Sequence, residues 1–201
     1  GASPTAVRSI VIPEGASVMY GSATSWVMLG IVFVVALVGK LREPRPIQTL
    51  ASALAAIAPS GARTAAAAVI AAEAVVVAGL ATGVIVPWAA RLSAGLAAVL
   101  MSVFALAIGI SLHRGVNARC RCFGTAGDAL GWRHVVRNSI ILVAAVIGAA
   151  APPVRLSALE PAPALLACLA GGLAGLLIIQ FDAIVELFLG PVGRTPQSIR
   201  E

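Results

Sequence analysis

Apolar residues fall in five long runs separated by short polar breaks, over 22–39, 64–86, 92–112, 135–151 and 164–189. A helix needs roughly 17–25 residues to cross a hydrocarbon core, and each run is of that order. Backbone groups immersed in lipid must find their hydrogen bonds within the segment, so such runs form helices. They are rich in Ala and lack the strict alternation of a barrel strand. The pattern therefore predicts an all-α, polytopic membrane helix bundle of five spans in a single domain over 24–189. Residues 1–23 read as a polar lead-in without a signal-peptide core, in a chain that starts at Gly1 and so reads as processed or trimmed. Residues 190–201 read as a tail.

Smaller features refine this picture. Between the first two runs, Ile47, Leu50, Leu54 and Ile57 share one helical face while Gln48, Thr49 and Ser52 lie elsewhere, which predicts a short interfacial helix over 46–58. Trp26, Trp88 and Trp132 stand next to span boundaries, where an amphipathic ring favours the water–lipid interface. In the fifth run Ala167, Gly171 and Gly175 recur every four residues, a smooth strip along which another helix can approach.

Composition sharpens the class. Hydrophobic residues make up 60% of the 201 positions and charged residues 11%, with a mean hydropathy of +1.01. A soluble domain needs more charge than this to keep its surface in water, so the chain is a multi-pass protein of the cell membrane. The net charge of +6 does not point to nucleic acid, because the basic residues sit in the gaps between apolar runs, at headgroup level.

Their distribution also predicts an orientation. With the N-terminus outside, 11 basic residues fall inside (Lys40, Arg42, Arg45, Arg63, Arg114, Arg119, Arg121, Arg133, Arg137, Arg194 and Arg200). Three fall outside (Arg8, Arg91 and Arg155). The excess of inner positive charge favours N-out and C-in, consistent with an odd number of spans.

Chemistry concentrates in the loop over 113–134. Cys120 and Cys122 stand one residue apart, flanked by Arg119 and Arg121, with Gly124 and Gly127 following. A C-x-C pair can close into a strained, labile disulfide. The flanking guanidinium groups favour the thiolate, the species that attacks a disulfide or binds a soft metal. Elsewhere, Glu73 at the centre of the second span is a costly placement that by default signals function. It can relay protons, pair with a basic residue of a neighbouring helix, or sit as a hydrogen-bonded neutral carboxyl. Asp182 and Glu186, one turn apart, read as a polar helix end reaching the interface. Cys168 reads as a small buried hydrophobe. His113 and His134 bracket the loop and, with Cys120 and Cys122, make a conceivable two-Cys, two-His metal site without a familiar spacing.

Cys120-x-Cys122-Phe123-Gly124, then Trp132 and Arg137-Asn138 opening a span, resembles the MauE family, grouped with the DoxX-like redox-associated membrane proteins. Lys40-Leu41-Arg42-Glu43-Pro44 after the first span and Glu73 in the second also look like that family, and the resemblance covers about residues 24–150. It implies a four-helix core plus a fifth span, thiol–disulfide chemistry, and a role in maturing a disulfide-containing client. The implied partner is a thioredoxin-like protein, beside the bilayer itself; a lipid-soluble quinone is the alternative with which Cys120 and Cys122 would exchange, and so the candidate cofactor. The implied site is Cys120, Cys122, Arg119, Arg121 and Glu73. Competing readings from other classes are a soft-metal-ion carrier using the paired thiolates and a structural subunit of a membrane complex. The charge count puts the C-x-C stretch inside, whereas an exported client needs thiols reachable from outside. Both hold only if the stretch re-enters the membrane; otherwise the orientation is reversed.

Overall fold

The computed structural model describes residues 14–55, 60–114, 131–152 and 159–189. These form helices α1 (Glu14–Leu41), α2 (Pro46–Ala55), α3 (Ala62–Thr82), α4 (Pro87–His113), α5 (Trp132–Ala150), α6 (Pro161–Ile179) and α7 (Phe181–Leu189), with no strand among the described residues. Five of them (α1, α3, α4, α5 and α6) are long and apolar enough to cross a membrane. The chain is therefore an all-helical, multi-pass membrane protein.

Helix ends follow local rules. Pro87 opens α4 and Pro161 opens α6, positions where the missing N–H has no helical partner to lose. Before α3, Gly61 has φ +87°, a left-handed conformation that only glycine adopts without cost. The stretch expected as one span over 164–189 is divided at Gln180. The Gln180 amide still donates to Leu176 and its carbonyl accepts from Ile184, so the interruption is a single residue. At the other end of the chain, α1 begins at Glu14, inside the stretch read as a lead-in. The stretch expected as a short helix over 46–58 is helical as α2, whose Leu50 and Ala51 pack on Ala62 and Ala66 of α3; residues 56–58 lie outside the described residues.

The centre of the bundle is α1, which packs against α3, α5 and α6. Leu29, Val32 and Phe33 are essentially sealed from the surface, together with Val76 of α3, Ala94 and Ala97 of α4, and Ile141 and Ala145 of α5. Outward-facing positions such as Val99, Val103, Leu106, Val143, Leu169 and Leu173 remain exposed. Apolar residues thus lie on both sides of each helix, as expected where the surrounding solvent is hydrocarbon.

Close contacts set helix directions. Gly171 of α6 lies against Thr24 and Val27, and Gly175 against Met28 and Ile31, so numbering rises together along both helices and α1 and α6 are parallel. Gly79 meets Ser93 and Gly83 meets Ala90, so α3 and α4 are antiparallel. Arg91 donates to the Ala149 carbonyl (2.8 Å), and Trp26 Nε1–H donates to the Gly148 carbonyl (3.1 Å). The first end of the bundle therefore gathers the starts of α1, α4 and α6 with the ends of α3 and α5. The second end gathers Lys40, α2, the start of α3, His113, the start of α5 and α7.

The tryptophans divide accordingly. Trp88 and Trp132 are largely exposed at opposite ends, as interfacial rings would be, but Trp26 is buried in the core. Its indole N–H is satisfied by a helix-end carbonyl rather than by headgroups, which corrects the interfacial expectation at that position.

Candidate functional site

The second end carries the buried polar chemistry. Lys40, one residue before the end of α1, reaches Glu73 in the middle of α3, with Nζ to Oε1 at 2.7 Å. Both side chains are buried, at 8% and 3% exposure, so the pair lies inside the bundle rather than on its rim. The expectation that Glu73 pairs with a basic residue of a neighbouring helix is what the geometry displays. Its second oxygen, Oε2, has no hydrogen-bond partner among the described residues.

Pairing strongly favours burial of these groups together, because an isolated charge in low dielectric is far more costly than a matched pair. A signal for the partner existed. Lys40 is the chain's single lysine, every other basic position being Arg. A long, flexible stem with a compact charge suits a reach from one helix into the middle of the next. Below Lys40, a small cavity of about 30 Å³ is lined by Gly39, Lys40, Glu43, Pro46, Thr49, Leu50 and Ala53.

A second polar cluster stands at the start of α5. His134, Arg137 and Asn138 are all buried on the helix face that also carries Ile141 and Ala145. Arg137 Nη1 pairs with Asp182 Oδ2 of α7. The reading of Asp182 as a polar helix end facing the interface is therefore corrected: it is a counter-ion for a buried guanidinium. Glu186, on the same helix, is exposed. Sequence offered a clue, since Arg137 near the start of one span and Asp182 near the end of another fall at the same predicted level.

Of the site residues expected from sequence, Glu73 is described, and Arg119, Cys120, Arg121 and Cys122 lie outside the described residues. Their flanks are placed, however: Arg114 closes α4 and Gly131 precedes α5, both at the second end. The two histidines differ in setting, with His113 exposed at the end of α4 and His134 buried in the first turn of α5. Among the described residues no three His, Cys, Asp or Glu side chains gather into a metal-sized cluster.

Cys168 belongs to the other end. It is half-buried and lines an apolar crevice of about 260 Å³ between α1, α3 and α6, beside Ala23, Trp26 and Val27. Since Arg114 and Gly131 are at the second end, the bundle separates this thiol from the start and finish of the C-x-C stretch. The small-residue strip is also realised: Ala167, Gly171 and Gly175 are buried against α1. A Cβ added at Gly171 would stand 2.5 Å from the Thr24 carbonyl oxygen.

No curated protein and no solved structure matches the chain. The family model described as methylamine utilisation protein MauE matches residues 18–151, which contain Lys40, Glu73, the C-x-C stretch and Arg137-Asn138 but end before α6 and Asp182. With two thirds of its length covered, the chain belongs to the MauE family.

Proposed function

We propose that the protein is a membrane thiol–disulfide redox protein that supports maturation of a disulfide-containing client. The observation that carries the reading is the pair Cys120 and Cys122, alternating with Arg119 and Arg121 inside the segment matched by the MauE family. Two thiols at this spacing cycle between dithiol and disulfide, and adjacent guanidinium charge raises the thiolate fraction that attacks. In the oxidised form, a client thiolate attacks one sulfur of the Cys120–Cys122 disulfide to give a mixed disulfide. The second client thiolate then attacks the client's own sulfur. The client gains a disulfide, and Cys120 and Cys122 leave as a dithiol with the two protons the client gave up. A thioredoxin-like partner can exchange by the same two steps.

Family membership supports the redox-related maturation role. The buried Lys40–Glu73 and Arg137–Asp182 pairs support a rigid frame for the second end, where the chain leaves at Arg114 and returns at Gly131. The excess of basic residues at that end supports an inner location for it.

The test is acid trapping followed by alkylation in cells, read by mass spectrometry. The expected result is a mixture of dithiol and disulfide at Cys120 and Cys122 that shifts when external oxidant or reductant is added. Cys120→Ser and Cys122→Ser should each trap or abolish the exchange and leave the client immature. Single Ser variants that support full maturation would sink the reading. A membrane-impermeant thiol reagent applied to intact cells after reduction decides the side. Labelling would reverse the orientation derived from charge, and protection until the membrane is opened would uphold it.

A further inference from the structure

The helix that supplies the counter-ion of Arg137 differs in charge from everything around it. α7 carries two carboxylates, Asp182 and Glu186, and no basic residue. The end of the bundle on which it lies is otherwise basic, with Arg42, Arg45, Arg63 and Arg114 exposed. Arg133, half-buried, precedes Arg137 by four residues, so both guanidinium groups stem from one face of α5. The first turn of α5 holds no acidic residue, and no side chain caps it.

The hold of α7 on this face is partial. Asp182 meets Arg137 through Oδ2, while its Oδ1 is buried without a hydrogen-bond partner among the described residues. A guanidinium is best matched by an anion that accepts two parallel hydrogen bonds. α7 packs mainly on α5 and α6, and is joined to α6 through the single residue Gln180. Its Leu187 and Phe188 are each 80% exposed. Asp182 stands in the first turn of α7, where the positive end of the helix favours a carboxylate even when Arg137 is let go.

The contact also lies at headgroup depth. Trp132, largely exposed at the start of α5, marks the interface, and Arg137 follows five residues later, about 7–8 Å along the helix. An arginine at that depth reaches back toward lipid phosphates. Asp182 keeps 17% exposure, so the pair is open to exchange from outside the bundle. Val136 and Ile140, exposed on the same stretch of α5, offer acyl chains an apolar surface.

We propose that α7 is a removable cap on an acidic-phospholipid site, in which Asp182 holds the place of a headgroup phosphate at Arg137. The lipid phosphate takes that place, with Arg133 as a second donor, as basic recesses between spans do for acidic headgroups. Its charge repels Asp182 and Glu186, and α7 leaves. The recognised chemistry is a phosphate anion, and the depth of the contact beside exposed apolar residues assigns it to a lipid rather than to free phosphate. A zwitterionic lipid brings the phosphate but cancels its charge.

The test uses the full chain in a non-ionic detergent, titrated with phosphatidylglycerol, phosphatidylcholine or inorganic phosphate. Bound lipid is counted by native mass spectrometry, and the exposure of α7 is read by amide hydrogen exchange. Neither readout involves the thiols, so the result is independent of the redox reading. The expected result is that phosphatidylglycerol binds in preference to phosphatidylcholine and speeds exchange in α7, whereas phosphatidylcholine does not. Asp182→Asn, which removes the resident anion, should raise phosphatidylglycerol affinity about fivefold. Glu186→Gln removes the same charge one turn away and should bring no such gain. Arg137→Gln should lose the preference; a gain in binding cannot arise from misfolding, so Asp182→Asn decides even where that variant fails to fold.

Unchanged affinity in Asp182→Asn, or an equal gain in Glu186→Gln, would overturn the site. Phosphatidylglycerol that binds while exchange in α7 stays the same would overturn the cap. Inorganic phosphate that displaces phosphatidylglycerol and opens α7 equally well would overturn the lipid assignment in favour of a free anion.

Discussion

The two ends of the bundle are built on different principles. At the first end, helices meet through small residues. Gly79 faces the Ser93 side chain, Gly83 faces Ala90, Gly148 faces the Trp26 ring and Gly171 faces the Thr24 carbonyl, each close enough that a Cβ would be crowded. At the second end the contacts that cross the bundle are charged, Lys40 with Glu73 and Arg137 with Asp182, and exposed Arg42, Arg45, Arg63 and Arg114 surround them. In hydrocarbon, close packing binds helices without a hydrophobic driving force, and it tolerates no added volume. Ion pairs bind through directional groups that must stay matched, because a single unmatched member is costly. The first end is thus a plain joint, and the chemistry we propose belongs to the second, where the chain leaves at Arg114 and returns at Gly131.

Substitutions at each end sharpen this contrast. The largest effect is expected for Lys40→Met, which strands the Glu73 carboxylate. Thermal unfolding in detergent should show a loss of about 3–5 kcal/mol, most of it recovered in the double variant Lys40→Met/Glu73→Leu. If single and double variants lose the same stability, the pair is not what holds α1 to α3. Next comes Gly171→Leu, whose Cβ would press on the Thr24 carbonyl at 2.5 Å. Overpacking of this kind costs about 1–3 kcal/mol. A cysteine cross-link between α1 and α6 should form more slowly in that variant, and an unchanged rate would show that the helices can separate freely.

Asp182→Asn keeps an acceptor for Arg137 but removes its negative charge, and should lower stability by about 1 kcal/mol. Its effect is smaller than that of Lys40→Met because Asp182 retains 17% exposure and water can share its role. Charge reversal across the pair, Arg137→Asp with Asp182→Arg, should recover part of what Arg137→Asp loses alone; no recovery would deny the contact. Trp26→Phe, at the first end, removes the donor to the Gly148 carbonyl and should cost about 0.5–1.5 kcal/mol. Proteolysis rates of the α5–α6 connection provide the check, and a rate equal to the native one would return Trp26 to the interfacial role its position suggested.

Much of the fold could be read directly from hydropathy, because a lipid-crossing helix must be long, continuous and apolar, a requirement that acts on the chain locally. The five spans follow from that requirement, and the short helix at Pro46–Ala55 from the helical period of its apolar residues. The strip of Ala167, Gly171 and Gly175 was visible as spacing, though not its partner, α1. Glu73 stood out because an ionisable residue in a span is conspicuous, and the C-x-C pair because two thiols at that distance have few structural uses.

Pairing was harder to read. Lys40 lies 33 positions from Glu73, and Asp182 lies 45 from Arg137. Neither separation has a helical period, so no local pattern records it. Trp26 has the flanking position of an interfacial ring, and only the arrival of α5 at Gly148 turns it inward.

By itself, the sequence determined that this is a membrane-embedded helical protein with a close pair of thiols and a carboxylate at the centre of a span, since these depend on residue type and on the length of apolar runs. Tertiary structure alone decided which helices run parallel, which charges neutralise each other, and that α7, beyond the family-matched segment, supplies the counter-ion for Arg137. The physical reason is that hydrophobic burial is a property of each segment separately. Charge neutralisation and close approach belong to pairs of segments, and which pairs meet is settled only when the bundle assembles.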